Sequence, residues 1–167
     1  TYYSERFATL ADTAAHLFAP ERMELRFRVF ERLCLRSLLR QSDQGFHLIL
    51  LTAEDMPEAY LERLARLLEP ATNITLMPVG PGTHYRMLKQ GYNAVPLDGA
   101  THRLMFRLDD DDAVDLDYVA RNRRLAMGLI PLQSGNTPFI LANNRGLYLR
   151  RTQGPDGPTD EIFDACE

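Results

Sequence analysis

The stretch Phe46-His47-Leu48-Ile49-Leu50-Leu51 decides the fold class of this chain. It is almost continuously apolar, as expected of a β-strand that is buried on both faces. Residues 42–45 are polar or glycine and break the preceding helix, and the mostly polar residues 52–55 follow the strand. Because strands buried on both faces belong to parallel sheets with helices on either side, the stretch predicts an α/β protein.

Helical and strand patterns alternate on both sides of this strand. Upstream we predict a short helix over residues 5–18 and a long helix from Pro20 to about residue 40. One stripe of the long helix is apolar and should face the core, namely Met23, Phe27, Phe30, Cys34 and Leu38. Downstream we predict a helix over 57–68, a strand over 74–77, a helix over 83–95, a strand over 102–108 and a helix over 117–128. This alternation is typical of a doubly wound, mostly parallel sheet with helices on both faces.

The C-terminal part of the chain has a different pattern. Two short apolar runs, 139–142 and 147–149, flank residues 143–146, whose Asn-Asn-Arg-Gly sequence suits a hairpin turn. Residues 154–158 are predicted to form a loop. We therefore expect a small C-terminal hairpin within a single domain over residues 1–167. Since the first residue is Thr1 rather than methionine, we expect that domain to be incomplete at one or both ends.

Composition narrows the class of protein. The hydrophobic content of 45% and the charged content of 25% are ordinary for a globular protein, and the net charge of −4 gives no reason to expect a nucleic-acid partner. No apolar run approaches the roughly 18 residues of a membrane-spanning helix, so we expect a cytoplasmic protein without a transmembrane segment. Two cysteines, Cys34 and Cys166, build neither a disulfide framework nor a zinc site, and Cys34 should be a buried small hydrophobe.

The acidic run Asp109-Asp110-Asp111-Asp112 follows the predicted strand 102–108 directly. Ligands of such α/β folds bind at the carboxyl ends of the strands, where residues 52–55 and 80–84 are also expected. Adjacent carboxylates repel one another unless a cation is present, and Mg²⁺ or Mn²⁺ takes one or two carboxylates together with phosphate oxygens. The run therefore predicts a metal-dependent phosphate site, in which the cation neutralises a diphosphate leaving group.

The sequence leaves the register of the acidic run open. If the chain leaves the strand in an extended conformation, Asp109 and Asp111 face one side and Asp110 faces the other. Asp110 and Asp112 offer the same Asp-x-Asp spacing one residue later. The alternative interpretation is a solvated turn or a cap for the following helix. A calcium loop is excluded, since Val114 and Ala120 stand where glycine and glutamate are needed.

Other catalytic signatures are missing from the sequence. It has no Gly-Lys-Ser/Thr phosphate loop, and Gly80-x-Gly82 lacks the third glycine of a dinucleotide fingerprint. His-Glu-x-x-His and Gly-x-Ser-x-Gly are absent as well, and the four histidines are scattered along the chain.

Six stretches that follow one another along the chain carry a family resemblance. They are Ala19-Pro20-Glu21-Arg22-Met23, Arg26-Phe27-x-x-Phe30-Glu31, Leu38-x-x-Gln41-x-Asp43-x-x-Phe46, Leu51-Thr52, Met56-Pro57-x-x-Tyr60 and Phe106-Arg107-Leu108-Asp109-Asp110-Asp111-Asp112-Ala113. Together they resemble the N-terminal half of a bacterial rhamnosyltransferase family of the GT-A glycosyltransferase type. The resemblance covers residues 19–120 and is most specific in the last stretch. It implies a Rossmann-like half domain that binds a nucleotide-diphosphate sugar.

The resemblance also implies roles for the aspartates. Asp109 would contact the ribose or a metal-bound water, Asp111 would ligate Mg²⁺ or Mn²⁺, and Asp112 would be an auxiliary ligand or orient the donor sugar. Asp110, like Asp109, is predicted to contact the donor. In many relatives this strand ends in acidic residues that hold the base, whereas here Leu51-Thr52-Ala53 precede Glu54-Asp55. Thr52 lies at the expected ligand edge and is predicted to bind the donor.

Besides Thr52, five residues outside the acidic run are predicted to take part. Arg86 and Lys89 lie on the helix after residues 80–83 and could reach a diphosphate, or else form a solvated helix face. Arg107 should pair with an aspartate or a phosphate. Asp160 and Glu161 are the candidates for the base that an inverting transfer needs, the alternative being a solvated helix start.

The sequence thus predicts a glycosyltransferase with a nucleotide-diphosphate sugar donor. The family name implies rhamnose from a deoxythymidine diphosphate donor, and the acceptor is an unknown glycan, lipid or protein. The two rival interpretations are a sugar nucleotidyltransferase and a non-catalytic nucleotide-sugar-binding scaffold.

Overall fold

The computed structural model describes residues 10–133, 137–143, 145–155 and 157–166, with side chains described from Thr13 to Phe163 within these ranges. The chain divides into two compact units, one ending at Leu125 and one beginning at Ala126. No helix in the described ranges is both long and apolar enough to span a membrane.

A long helix forms the centre of the first unit and follows a short helix α1 (Leu10–Leu17). It consists of α2 (Pro20–Val29), a π-helical turn (Phe30–Cys34) and α3 (Leu35–Leu39), with Pro20 at its first position. The predicted stripe is buried along its whole length: Met23, Phe27, Phe30, Cys34 and Leu38. This stripe recurs slightly more slowly than 3.6 residues per turn, and the extra residue of the π turn keeps it facing the core.

Two parallel strands lie against this helix. β1 (Leu48–Ala53) pairs with β2 (Ile74–Val79) in the register Leu48↔Ile74 to Ala53↔Val79. The connection between them is α4 (Glu58–Leu68), and α5 (His84–Ala94) follows β2. These elements agree with the predicted ones within one or two residues.

Both faces of β1 are covered by helices, as its apolar sequence predicts. Leu48 and Leu50 pack into the core formed by the long helix and α4. On the other face α5 comes so close that a Cβ added at Gly91 would lie 3.2 Å from a methyl group of Leu51. Glycine at position 91 therefore permits close packing of α5 on the sheet.

The prediction of a third strand over residues 102–108 is wrong. In the described ranges the first unit has only β1 and β2 as strands, and a full Rossmann-like sheet is not seen. Arg103 ties this segment to the end of α5 by donating to the carbonyls of Tyr92 and Val95. Leu104 and Met105 are each 50% exposed. The apolar pattern alone could not exclude this outcome, since a strand also requires a neighbouring strand to pair with.

The second unit contains a long antiparallel hairpin, but its turn is not the predicted one. α6 (Tyr118–Leu129) leads into this unit and is followed by a 3₁₀ turn (Ile130–Leu132). β3 (Arg145–Gly154) then pairs with β4 (Gly157–Cys166), so the predicted loop 154–158 makes the turn. Residues 139–142 are not a strand, and the predicted turn at 143–146 is wrong within the described part of that segment. Gly-Pro-Asp-Gly is the better turn sequence, since Gly157 adopts a φ of +117° that other residues rarely tolerate.

Candidate functional site

The site lies at the carboxyl edge of the β1–β2 sheet. Thr52, near the end of β1, is 3% exposed, and its hydroxyl has no hydrogen-bond partner. Thr52, Arg26 and Asp110 line one cavity of about 60 Å³, whose other walls are mainly apolar. Such a volume holds a few waters but no nucleotide. A buried hydroxyl without a partner is costly to the fold and indicates a position where a ligand can bind.

The acidic run forms a turn at this edge rather than an extended exit. The Asp112 backbone N–H donates to the Asp109 carbonyl at 3.1 Å. This turn places Asp110 and Asp111 on the same partner, Arg26. Arg26 Nε donates to Asp110 Oδ2 at 2.9 Å, Nη2 pairs with the other oxygen of Asp110, and Nη1 donates to Asp111 Oδ2 at 2.7 Å. The predicted extended geometry, with Asp110 facing away from Asp111, is therefore wrong.

Asp109 has a separate cationic partner. Arg107 donates through Nη2 to Asp109 Oδ2 at 3.2 Å and through Nη1 to Nε2 of His84 at 2.8 Å. His84 is the first residue of α5, so this chain of contacts connects the acidic run to the segment that follows β2. Residues 52–55, residues 80–84 and the acidic run thus lie at one edge of the sheet, as expected.

Asp112 and Cys34 both have raised pKa values, and burial is the largest cause for each. Desolvation raises the pKa of Asp112, and the charges of Asp111 and Asp109 raise it further. Burial raises the pKa of the Cys34 thiol to about 12, with Asp112 the next contributor. Cys34 is therefore an inert, buried thiol, as its apolar helical context predicts.

The long helix holds the acidic segment in place by polar contacts. The Val114 N–H donates to Ser37 Oγ at 3.3 Å, and Gln41 Nε2 donates to the Asp115 carbonyl at 2.6 Å. Val114 also packs against the core. These contacts fix the segment just after the acidic run against the helix that carries Arg26.

None of the contacts described for the aspartate turn involves the other predicted residues. Arg86 and Lys89 are exposed on α5. Asp160 and Glu161 belong to β4 rather than to the start of a helix. Asp160 forms a two-pronged pair with Arg151 (2.7 and 2.8 Å), and this hydrogen bonding lowers the pKa of Asp160.

Arg26 is the site residue that the sequence analysis missed. It stands in one of the matched stretches, but its charge was given no role. The sequence contains a signal for it, because Arg26 lies between Met23 and Phe27 of the apolar stripe. In the structure the Arg26 side chain is only 28% exposed. An arginine so close to a buried stripe needs a carboxylate partner, and the acidic run is the richest source of carboxylates in the chain.

The donor set suits a divalent cation that is shared with a substrate. No three His, Cys, Asp or Glu side chains among the described residues converge into a preformed metal cage. Mg²⁺ in phosphate sites is commonly held by one or two carboxylates, with phosphate oxygens and water completing the shell. The aspartate turn carries hard oxygen ligands of this kind, and in the structure Asp110 and Asp111 are paired with Arg26 and Asp109 with Arg107.

The two parallel strands with helices on both faces make the first unit an α/β unit, and ligands of α/β sheets commonly bind at the carboxyl edge of the strands. The chain belongs to the family described as Putative rhamnosyl transferase, whose profile matches residues 2–163. No curated protein and no solved structure matches it. The family description suggests a glycosyltransferase, which would use a nucleotide-sugar donor and an acceptor.

Proposed function

We propose that the protein transfers a sugar from a nucleoside-diphosphate donor bound at the aspartate turn, with rhamnose as the sugar that the family description suggests. The observation that carries the proposal is that Thr52, whose buried hydroxyl has no hydrogen-bond partner, lines the same cavity as Asp110 and Arg26. A hydroxyl, a guanidinium and carboxylates at one strand edge are the groups that a nucleoside diphosphate and its counter-cation need.

The aspartates would hold Mg²⁺ or Mn²⁺, with Asp109, Asp111 and Asp112 as the predicted ligands and Asp110 as a further oxygen donor. The cation would supply positive charge that neutralises the diphosphate as it leaves. Arg107 keeps Asp109 oriented through their ion pair and is available to a phosphate. Arg86 and Lys89 remain predictions for the diphosphate, since both are exposed and free to move toward an anion.

The base for the acceptor hydroxyl remains a prediction for Asp160 or Glu161. Arg151 holds the pKa of Asp160 below its usual range, and a carboxylate stabilised in its charged form accepts a proton less readily. Glu161 stands opposite Arg150 in the strand register. Between the two, Glu161 is the better candidate.

The test uses the full chain and a panel of nucleoside-diphosphate sugars, including deoxythymidine diphosphate rhamnose. Thermal stabilisation is measured with and without Mn²⁺, followed by slow hydrolysis of the donor. We expect Mn²⁺-dependent stabilisation that Asp111→Ala abolishes. Glu69→Ala is the matched control, because Glu69 is exposed just after α4 at the opposite edge of the sheet. Stabilisation that survives in Asp111→Ala would contradict the metal site.

The same preparation separates the two rival functions. A sugar nucleotidyltransferase would release pyrophosphate from a nucleoside triphosphate and a sugar 1-phosphate. A scaffold would bind the donor in Mn²⁺ without hydrolysing it or transferring its sugar to an acceptor.

A further inference from the structure

Arg26 is the only cation that contacts Asp110 and Asp111 within the described ranges. Its guanidinium bridges the two carboxylates through Nε, Nη1 and Nη2, and the pairing is bidentate at Asp110. Bidentate arginine–carboxylate pairs are among the strongest polar contacts in proteins. Part of the positive charge that a divalent cation would provide to these two carboxylates is therefore already supplied by the protein.

The location of Arg26 connects this pair to the small cavity that Thr52 also lines. Arg26 and Asp110 line the same cavity as Thr52, whose buried hydroxyl has no hydrogen-bond partner. A guanidinium at this wall is within reach of an anion that enters the cavity. Its planar fork fits a phosphate as well as it fits a carboxylate.

We propose that Arg26 is a built-in counter-ion that competes with the divalent cation for Asp110 and Asp111, and that it transfers to the diphosphate when the donor binds. This proposal rests on the proposed function and adds the order of events at the same site. In the absence of ligand, Arg26 neutralises the carboxylates. With the donor present, the carboxylates are released to the cation, and the guanidinium pairs with phosphate oxygens.

This exchange of partners predicts positive cooperativity between the divalent cation and the diphosphate. A cation that binds alone must displace Arg26 and leave a partly buried guanidinium without a partner, next to another positive charge. A diphosphate that binds alone meets carboxylates that repel it. When both bind, every charge has a partner of opposite sign. The cation and the diphosphate therefore strengthen each other's binding, and by thermodynamic linkage the factor is the same in both directions.

A purely structural role for Arg26 predicts the opposite result. If Arg26 only held the turn in shape, its removal would disorder the aspartates and weaken the binding of a cation. If Arg26 competes with the cation, its removal strengthens the binding of the cation alone. The direction of the change thus separates the two roles.

The experiment measures Mn²⁺ binding by electron paramagnetic resonance of the free ion, with and without deoxythymidine diphosphate. Arg26→Gln keeps a long polar side chain without its charge, and Arg28→Gln is the control, since Arg28 is an exposed arginine of the same helix. We expect Arg26→Gln to bind Mn²⁺ alone about tenfold more tightly than the wild type. In saturating Mn²⁺, this variant should bind deoxythymidine diphosphate more weakly, so that the coupling factor falls toward one.

Each other outcome overturns the proposal. Unchanged or weaker Mn²⁺ binding by Arg26→Gln, with Mn²⁺ still bound by the wild type, rejects the role of Arg26 and leaves the proposed function standing. If neither protein binds Mn²⁺ with or without the nucleotide, the metal site of the proposed function fails as well. Arg26→Lys keeps the charge but lacks the planar fork that pairs bidentately with Asp110, and it replaces Arg26→Gln if that variant does not fold. It should also bind Mn²⁺ alone more tightly than the wild type.

Discussion

Gln41 and Val119 are joined by a buried hydrogen bond that connects the end of the long helix to the first turn of α6. The Val119 N–H donates to Gln41 Oε1 at 3.0 Å, and Gln41 itself is 4% exposed. Its Nε2 donates to the Asp115 and Ser37 carbonyls. One side chain thus satisfies three backbone groups and sets the position of the segment that carries the aspartate turn.

The first prediction concerns this side chain. Gln41→Leu has a similar volume but leaves the Val119 N–H and the Asp115 carbonyl without partners. We expect a loss of about 1–3 kcal/mol in the free energy of unfolding, measured by urea denaturation. Gln90→Leu, on the exposed side of α5, should change it by less than about 0.5 kcal/mol. Equal effects of the two substitutions would show that the buried bonds contribute nothing.

The second prediction concerns Thr52. Thr52→Val replaces an unpaired buried hydroxyl by a methyl group of similar size. We expect the ligand-free protein to gain up to about 1 kcal/mol of stability, because a polar group without a partner is removed. Stabilisation by deoxythymidine diphosphate and Mn²⁺ should decrease, since the ligand loses a hydrogen bond.

Thr52→Ser is the control for this site, because it keeps the hydroxyl and should retain the response to the nucleotide. Both quantities are read from thermal melts with and without ligand. A Thr52→Val protein that is less stable alone and responds normally to the nucleotide would contradict the assignment.

The third prediction concerns Arg63 of α4. Its guanidinium lies over the Phe27 ring at 4.3 Å from the centroid and pairs with Glu31 (2.8 Å) and Glu24 (3.0 Å). Arg63→Met keeps the packing of the stem but loses the charge, and we expect a loss of about 1 kcal/mol that shrinks at high salt.

Arg66 on the same helix provides the comparison for this prediction. It is 70% exposed, and its distance to Glu62 is 3.6 Å. Arg66→Met should therefore cost less than about 0.5 kcal/mol. If both variants unfold at the same urea concentration, the Arg63 network does not stabilise the fold.

The fourth prediction concerns Cys34, whose thiol has a pKa raised by burial to about 12. Because this value lies above that of the unfolded thiol, the thiol's contribution to stability is complete below about pH 9. It decreases as the pH rises from there toward 12.

In a Cys166→Ser background, which leaves Cys34 as the single thiol, a disulfide reagent at pH 8 should react about 100-fold more slowly with the native protein than with the urea-unfolded one. Equal rates would show that the helix does not shield the thiol.

The sequence predicted local elements well because their signals are local. The apolar run at β1, the stripe from Met23 to Leu38 and the position of Pro20 specified their elements nearly to the residue. Residues 102–108 were misassigned because an apolar run does not record whether a partner strand stands beside it. The hairpin turn was misplaced because residues 143–146 and 154–158 both have turn chemistry, and the pairing of β3 with β4 chooses between them.

By itself, the sequence determined that four carboxylates follow an apolar segment and that α/β units place such residues at a ligand edge. It also carried the stretches that mark the family. Only the tertiary structure decided that Asp110 and Asp111 face one partner, that this partner is Arg26, and that the Thr52 hydroxyl is buried without a hydrogen bond. The reason is physical: Arg26 and Asp110 are 84 residues apart in the chain. Contacts over such separations depend on how the helix, strand and turn pack together, which no local pattern specifies.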